Sequence, residues 1–133
     1  MLKLEIVTPE KKVVETEADS VTVPTASGDI GLLPNHAPLI SAIKPGILAY
    51  TRGGTTNQIV IAGGFVEVNR DKVSVLADAA ETADEIDTAA VKSSREEIEK
   101  TLEESWQKPI EETEALREQL ESADARLRLA ASK

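Results

Sequence analysis

The chain has 133 residues and a formal net charge of −9, enough for one modest core with an appendage and too little for two large domains. The acidic balance repels phosphate, and with aromatic residues at only 2% there are no platforms for stacking bases, so nucleic acid is excluded as a partner. No cysteine is present, which removes disulfides and thiolate metal sites.

Met1-Leu2-Lys3-Leu4-Glu5 alternates apolar and charged residues, so the chain is expected to open on a strand and not on a signal or transit peptide. Short apolar runs then follow at Val21/Val23, Ile30–Leu33, Leu39–Ile43, Ile47–Tyr50, Ile59–Ala62, Phe65–Val68 and Val73–Leu76. Most are separated by turn-forming pairs such as Gly28-Asp29, Pro34-Asn35, Pro45-Gly46, Gly53-Gly54 and Gly63-Gly64. This spacing, without a helical period between, predicts an antiparallel β-sandwich or flattened barrel of about eight to ten short strands. Parallel pairing is not expected, because the connections are too tight for crossovers. With aromatics so scarce, the core must be packed from Val, Ile, Leu and Ala.

Composition shifts near Asp78. Residues 1–77 hold all seven glycines, five of the six prolines and a net charge of −1, whereas residues 78–133 carry −8. Thr82-Ala83-Asp84-Glu85 has the pattern of a capping box. The division is therefore expected at 1–83 for the sandwich and 84–133 for a C-terminal α-helical hairpin. Its helices are predicted at about 84–105 and 109–130, with Pro109 in the first turn of the second. Val91, Ile98, Leu102 and Trp106 fall near one face of the first helix. Ile110, Thr113, Leu116, Leu120, Ala123 and Leu127 form the stripe of the second. Both stripes are thin, so docking is expected to be marginal and the hairpin to be a moving part; a plain solvated acidic face is the competing reading. No apolar run approaches the roughly 20 residues that span a bilayer, so any membrane association must pass through a partner.

No catalytic constellation stands out. His36 is alone, and nucleophile-elbow, HExxH and phosphate-loop patterns are absent. The glycine pairs fit hairpin turns, and no metal-binding cluster is visible. The expected sets of catalytic, metal-binding and cofactor residues are therefore empty.

One stretch exceeds what a plain sandwich needs: Gly28-Asp29-Ile30-Gly31-Leu32-Leu33-Pro34-Asn35-His36-Ala37-Pro38-Leu39-Ile40. It resembles the signature of the epsilon subunit of the F-type ATP synthase, roughly G-[E/D/Q]-[L/I]-G-[I/V/L]-x-P-[N/G]-H-A-P. Ala42–Gly46, Gly63–Val68, Val73–Asp78, the opening Leu4–Pro9 and the terminal helix pair continue the resemblance along essentially the whole chain. It implies a non-catalytic rotor subunit whose sandwich foot binds the gamma subunit and the c-ring. A mobile helix pair would reach the alpha/beta catalytic head and restrain ATP hydrolysis. The implied location is peripheral, on the cytoplasmic face of a bacterial cell membrane or the stromal face of a thylakoid.

The interface residues so implied are Ser27, Gly28, Asp29, Gly31, Pro34, Asn35, His36 and Pro38. The Ser27–Asp29 turn is expected toward the c-ring and the Pro34–Leu39 bend toward gamma. Arg126 and Arg128, with Lys133, would give the arm a basic tip for acidic segments of the head. Some bacterial members bind ATP through an I-D-x-x-R-A motif. Here Ile86 and Asp87 match, but Ala90 and Val91 replace the arginine and alanine, so ATP is expected to bind weakly or not at all. On the residues alone a second reading stays open: a free-standing β-sandwich adaptor whose acidic hairpin binds an unrelated protein.

Overall fold

The computed structural model describes residues 1–131. Within them, ten strands precede two helices: β1 (Leu2–Val7), β2 (Lys12–Ala18), β3 (Ser20–Thr25), β4 (Gly28–Leu32), β5 (Leu39–Ile43), β6 (Gly46–Arg52), β7 (Thr55–Ile61), β8 (Gly64–Asn69), β9 (Lys72–Ala77), β10 (Ala80–Glu81), α1 (Thr88–Glu104) and α2 (Ile110–Ala131). The strand order is β10-β7-β6-β3-β5-β8-β9-β1-β2, with β4 paired to β3. The sheet turns its corner at β3. Ser20–Thr22 pair with β6, while Thr25 at the other end meets Ile43 of β5. The two halves of the sheet thereby face each other as a sandwich.

The core follows from alternation. Leu2, Leu4 and Ile6 from β1, Val66 and Val68 from β8, and Val73 and Val75 from β9 are at most 1% exposed, and Val21, Val23, Leu48, Ile59 and Ile61 complete the filling. Each such side chain contributes roughly 1.5–3 kcal/mol of gross burial. No aromatic ring is fully buried, and the core is aliphatic, as expected from the composition.

Expectation and structure differ at several points. Pairing is antiparallel except that β1 runs parallel to β9, with Leu4 opposite Val73. Tight turns forbid parallel pairing only between consecutive strands, and here seven strands serve as the crossover. The strand β2 lacks an apolar run because it is an edge, and of its residues only Ala18 is fully buried. Its Lys and Glu side chains suit a solvent-exposed edge. Finally, α1 begins at Thr88 and not near residue 84. The Thr82–Glu85 pair caps a single 3₁₀ turn, Ala83–Glu85, with the Glu85 carboxylate accepting from the Thr82 N–H (3.1 Å) and hydroxyl (2.9 Å). These hydrogen bonds, the backbone one foremost, hold the Glu85 pKa below its ordinary value. Stabilisation from this turn is therefore present above the ordinary carboxylate pKa and is lost as pH falls through the depressed one.

The hairpin packs against the outer face of β6 and β7. Val60, Ile86, Val91, Ala123, Ala125 and Leu129 form a second buried cluster there. Trp106 does not join the stripe of α1: the helix ends at Glu104, and the ring is 78% exposed in the connection. Ile110, expected on the stripe of α2, is also exposed.

Gly64 makes the tightest backbone approach. Its φ is +125°, and a Cβ there would sit 2.0 Å from the Leu76 carbonyl oxygen of β9. Gly64→Ala is expected to lower unfolding stability by about 3 kcal/mol, read as the midpoint shift in urea denaturation; an unchanged midpoint would contradict this packing.

Candidate functional site

The signature segment splits between two places. Its first part, Gly28–Leu32, is β4, which leaves the β3–β4 hairpin tip at Ala26 and Ser27. Thr25, fully buried, organises the tip: its hydroxyl donates to the Gly28 carbonyl at 2.6 Å and accepts the Ser27 N–H at 3.3 Å. Gly28 adopts φ +114°, in the region that favours glycine. Ser27 and Asp29 are exposed, as is Gly31 further along β4.

The second part is the bend from Leu33 to Pro38, at the other end of a five-residue strand and so about 17 Å away. The His36 N–H closes a turn on the Leu33 carbonyl at 3.2 Å, and Asn35 takes the left-handed conformation at φ +68°. His36 Nδ1 lies 2.7 Å from the Ala37 carbonyl oxygen; a carbonyl only accepts, so Nδ1 carries the proton. Pro34, Asn35 and Pro38 are exposed.

This bend is pinned by Asp71, which the sequence did not single out. The Asn35 N–H donates to Asp71 Oδ1 at 2.6 Å, and the Asp71 carbonyl accepts the Lys3 N–H at 2.7 Å. Arg70 and Asp71 are both left-handed and form the two-residue β8–β9 turn. The bend is therefore anchored to the β8–β9 turn and through it to β1.

At the other end of β8 and β9, toward the β3–β4 tip, lies an apolar surface that sequence reasoning also missed. Strand register places Ala42, Phe65 and Leu76 in one row across β5, β8 and β9. Phe65 and Leu76 are 59% and 60% exposed, and Ile40 in the same layer is 73% exposed. The signal was available: the phase that buries Val66 and Val68 necessarily turns Phe65 outward. Contiguous exposed apolar side chains on a sheet face mark a contact surface.

At the hairpin, a cleft of about 1040 Å³ opens between the helices and the sandwich, lined among others by Asp29, Lys44, Lys92, Arg95, Asp124 and Arg128. The structure thus brings the β3–β4 tip and the end of α2 to one cleft, and leaves the 33–38 bend apart. The arginines here are largely engaged. Arg95 Nε lies 2.5 Å from Asp124 Oδ1, and its Nη1 lies 2.6 Å from Glu99 Oε1. The Asp124 hydrogen bond, ahead of the charges nearby, raises the Arg95 pKa. Arg126 is paired with Glu81 of β10. Arg128 is exposed, and Lys133 lies outside the described residues.

Ile86 and Asp87 have local roles. Ile86 is buried in the second cluster, and Asp87 is the N-cap of α1, its Oδ1 accepting the Ala90 N–H at 3.1 Å.

Comparison with known proteins gives consistent results. Residues 1–83 match the profile of a family described as ATP synthase, Delta/Epsilon chain, beta-sandwich domain. An ATP synthase epsilon chain of Syntrophobacter fumaroxidans is 45% identical over 129 residues, covering 97% of this chain and 95% of that protein. An ATP synthase epsilon chain of Desulforamulus reducens is 45% identical over 75% of this chain and 76% of its own length. Among solved structures, a chain of the Euglena gracilis mitochondrial ATP synthase (OSCP/F1/c-ring, rotational state 1) superposes with a TM-score of 0.79 at 26% identity. That superposition covers 98% of this chain and 81% of the other.

Asp71→Ala removes the acceptor that holds Asn35. Amide exchange at Asn35 should accelerate about fivefold, matching a hydrogen bond of about 1 kcal/mol, while the buried amides of β7 keep their protection. Unchanged exchange at Asn35 would show that Asp71 does not anchor the bend.

Proposed function

The chain belongs to the ATP synthase epsilon-chain family, and from that premise we propose that it is a non-catalytic subunit of the central stalk of a proton-translocating F-type enzyme. Residues 1–83 form the foot, bound to the gamma subunit and the c-ring. Residues 84–133 form an arm that reaches the alpha/beta catalytic head and restrains ATP hydrolysis.

The observation that carries the foot reading is the exposed apolar row of Phe65 and Leu76, with Ile40, on the outer face of a β5–β8–β9 stretch that has the pinned bend at Pro34, Asn35, His36 and Pro38 at one end and the Ser27–Asp29 tip at the other. A surface of this kind is stabilised by a protein partner, and gamma is that partner here. The exposed Ser27–Asp29 tip faces the c-ring. No described helix is long and apolar enough to cross a membrane; the subunit is held at the membrane periphery, on the cytoplasmic face, through these partners.

The arm reading rests on how little holds the hairpin down. Of the residues α2 contributes to the second cluster, Ala123 and Ala125 are alanines, and Leu129 is the one large fully buried side chain. A few kcal/mol of differential binding is then enough to shift the arm toward the head. Arg126 and Arg128 contact acidic segments there. The free-standing adaptor reading loses ground to the family match, since it does not account for the signature bend.

Reconstitution tests both parts. Phe65→Ser should leave the foot folded, because the ring is exposed, yet weaken capture of the gamma subunit at least about tenfold. Complexes rebuilt with a chain lacking residues 88–133 should hydrolyse ATP faster than those with the full chain. Undiminished capture would overturn the foot assignment, and equal hydrolysis rates the regulatory one.

ATP is not part of the proposed function. Ala90 offers no guanidinium, Arg95 and Arg126 are already paired, and Glu121 and Asp124 share the cleft. Calorimetry on the full chain should show no micromolar affinity for ATP; a measurable micromolar Kd would refute this.

A further inference from the structure

Arg126 sits on the face of α2 that meets the sandwich, and its partner is 45 residues away in sequence. Its Nη2 donates to Glu81 Oε2 at 3.1 Å, and its Nε lies 2.5 Å from Glu81 Oε1. The Nε–H is buried and not aligned on Oε1, so that approach is an ion pair without a second hydrogen bond. Both side chains are about two-thirds shielded from solvent, at 31% and 28% exposure. Of the ion pairs between described residues, this one alone joins the hairpin to the sandwich; the Arg95 pairs stay within the two helices. Glu81 in turn stands on β10, a two-residue strand stitched to β7 at Val60, directly under the docked helix.

We propose that the Glu81–Arg126 pair is the latch of the arm. Closed, it supplements a seam too poor in large side chains to fix the arm alone, and it withholds the Arg126 guanidinium from any other carboxylate. Open, it frees that guanidinium at the moment the arm leaves the foot. The proposal rests on the reading of the hairpin as a moving arm. A partly shielded, hydrogen-bonded charge pair has the strength such a latch needs: it biases the equilibrium without making release prohibitive. Arg95, joining α1 to α2 through Asp124, keeps the two helices together independently of the latch.

The absence of cysteine allows two spin labels to be placed cleanly, at Asn57→Cys on the exposed part of β7 and Glu114→Cys on the exposed face of α2. Electron–electron distance measurement on the full chain then reports the docked and open populations. Glu81→Arg and Arg126→Glu should each lower the docked-to-open ratio at least about tenfold, and the double reversal should restore it to within about threefold of the parent. Ala125→Glu places a carboxylate in the seam itself and serves as the control that opens the arm whether or not a latch exists. If Ala125→Glu opens the arm while both single reversals leave it docked, the latch is overturned and the moving arm stands. A double reversal that stays as open as either single variant also overturns the latch. If all variants remain docked, the moving-arm reading falls and the latch falls with it.

Discussion

Val60 points out of the sandwich between two neighbours, Ile59 and Ile61, that point in, and α2 closes over it with Ala123, Ala125 and Leu129. β7 thus has apolar side chains on both faces at one end, so it needs a cover there. What covers it is unusual in being mostly small. Alanines let a helix lie close to a sheet, but they remove little surface from water, so proximity is obtained without much stabilisation. The placement of Ile86, the short 3₁₀ turn before it and the Asp87 cap all serve to deliver the chain from β10 to that face.

The two ends of the signature segment answer to different neighbours. Its bend is tied by backbone and carboxylate to the β8–β9 turn and through it to β1, so its geometry is a property of the foot alone. Its tip, by contrast, shares a cleft with the last turns of α2. Under the moving-arm proposal, a change in arm position would alter the surroundings of Asp29 while leaving Asn35 and His36 as they are. One continuous motif combines a bend fixed within the sandwich with a tip that borders the helices.

How much of this the sequence displays depends on the size of the side chains involved. Strands with branched aliphatics in alternation announced themselves, because burying Val66, Val68, Val73 and Val75 leaves a period of two that nothing else produces. β2 did not, since an edge strand is built from residues that tolerate water. The docking face of α2 was only half legible for a related reason: Ala123 and Leu127 lie on the expected stripe and in the cluster, but Ala125 carries almost no hydrophobic signal and Leu129 falls outside the period. The continuous run Ile59-Val60-Ile61 was the one clue that something lies on the outer face of β7. The period through Val91, Ile98 and Leu102 continues to Trp106 in sequence, but the helix ends at Glu104. For the candidate site, the bend itself was legible as a motif, but Asp71 and Glu81 were not. Their partners lie tens of residues away, and pairing at that range is decided by topology and not by local pattern.

The parallel pairing of β1 with β9 has a consequence for how the molecule comes into being. Leu4 finds its ladder partner Val73 only 69 residues later, so β1 waits with one edge open until β9 has been made. Closing so long a loop is slow, and the open edge of β1 is meanwhile a template for wrong partners. The chain's order of synthesis works in its favour here. The acidic helices follow β9 and β10 in the chain, so β9 can close the sheet before they are made.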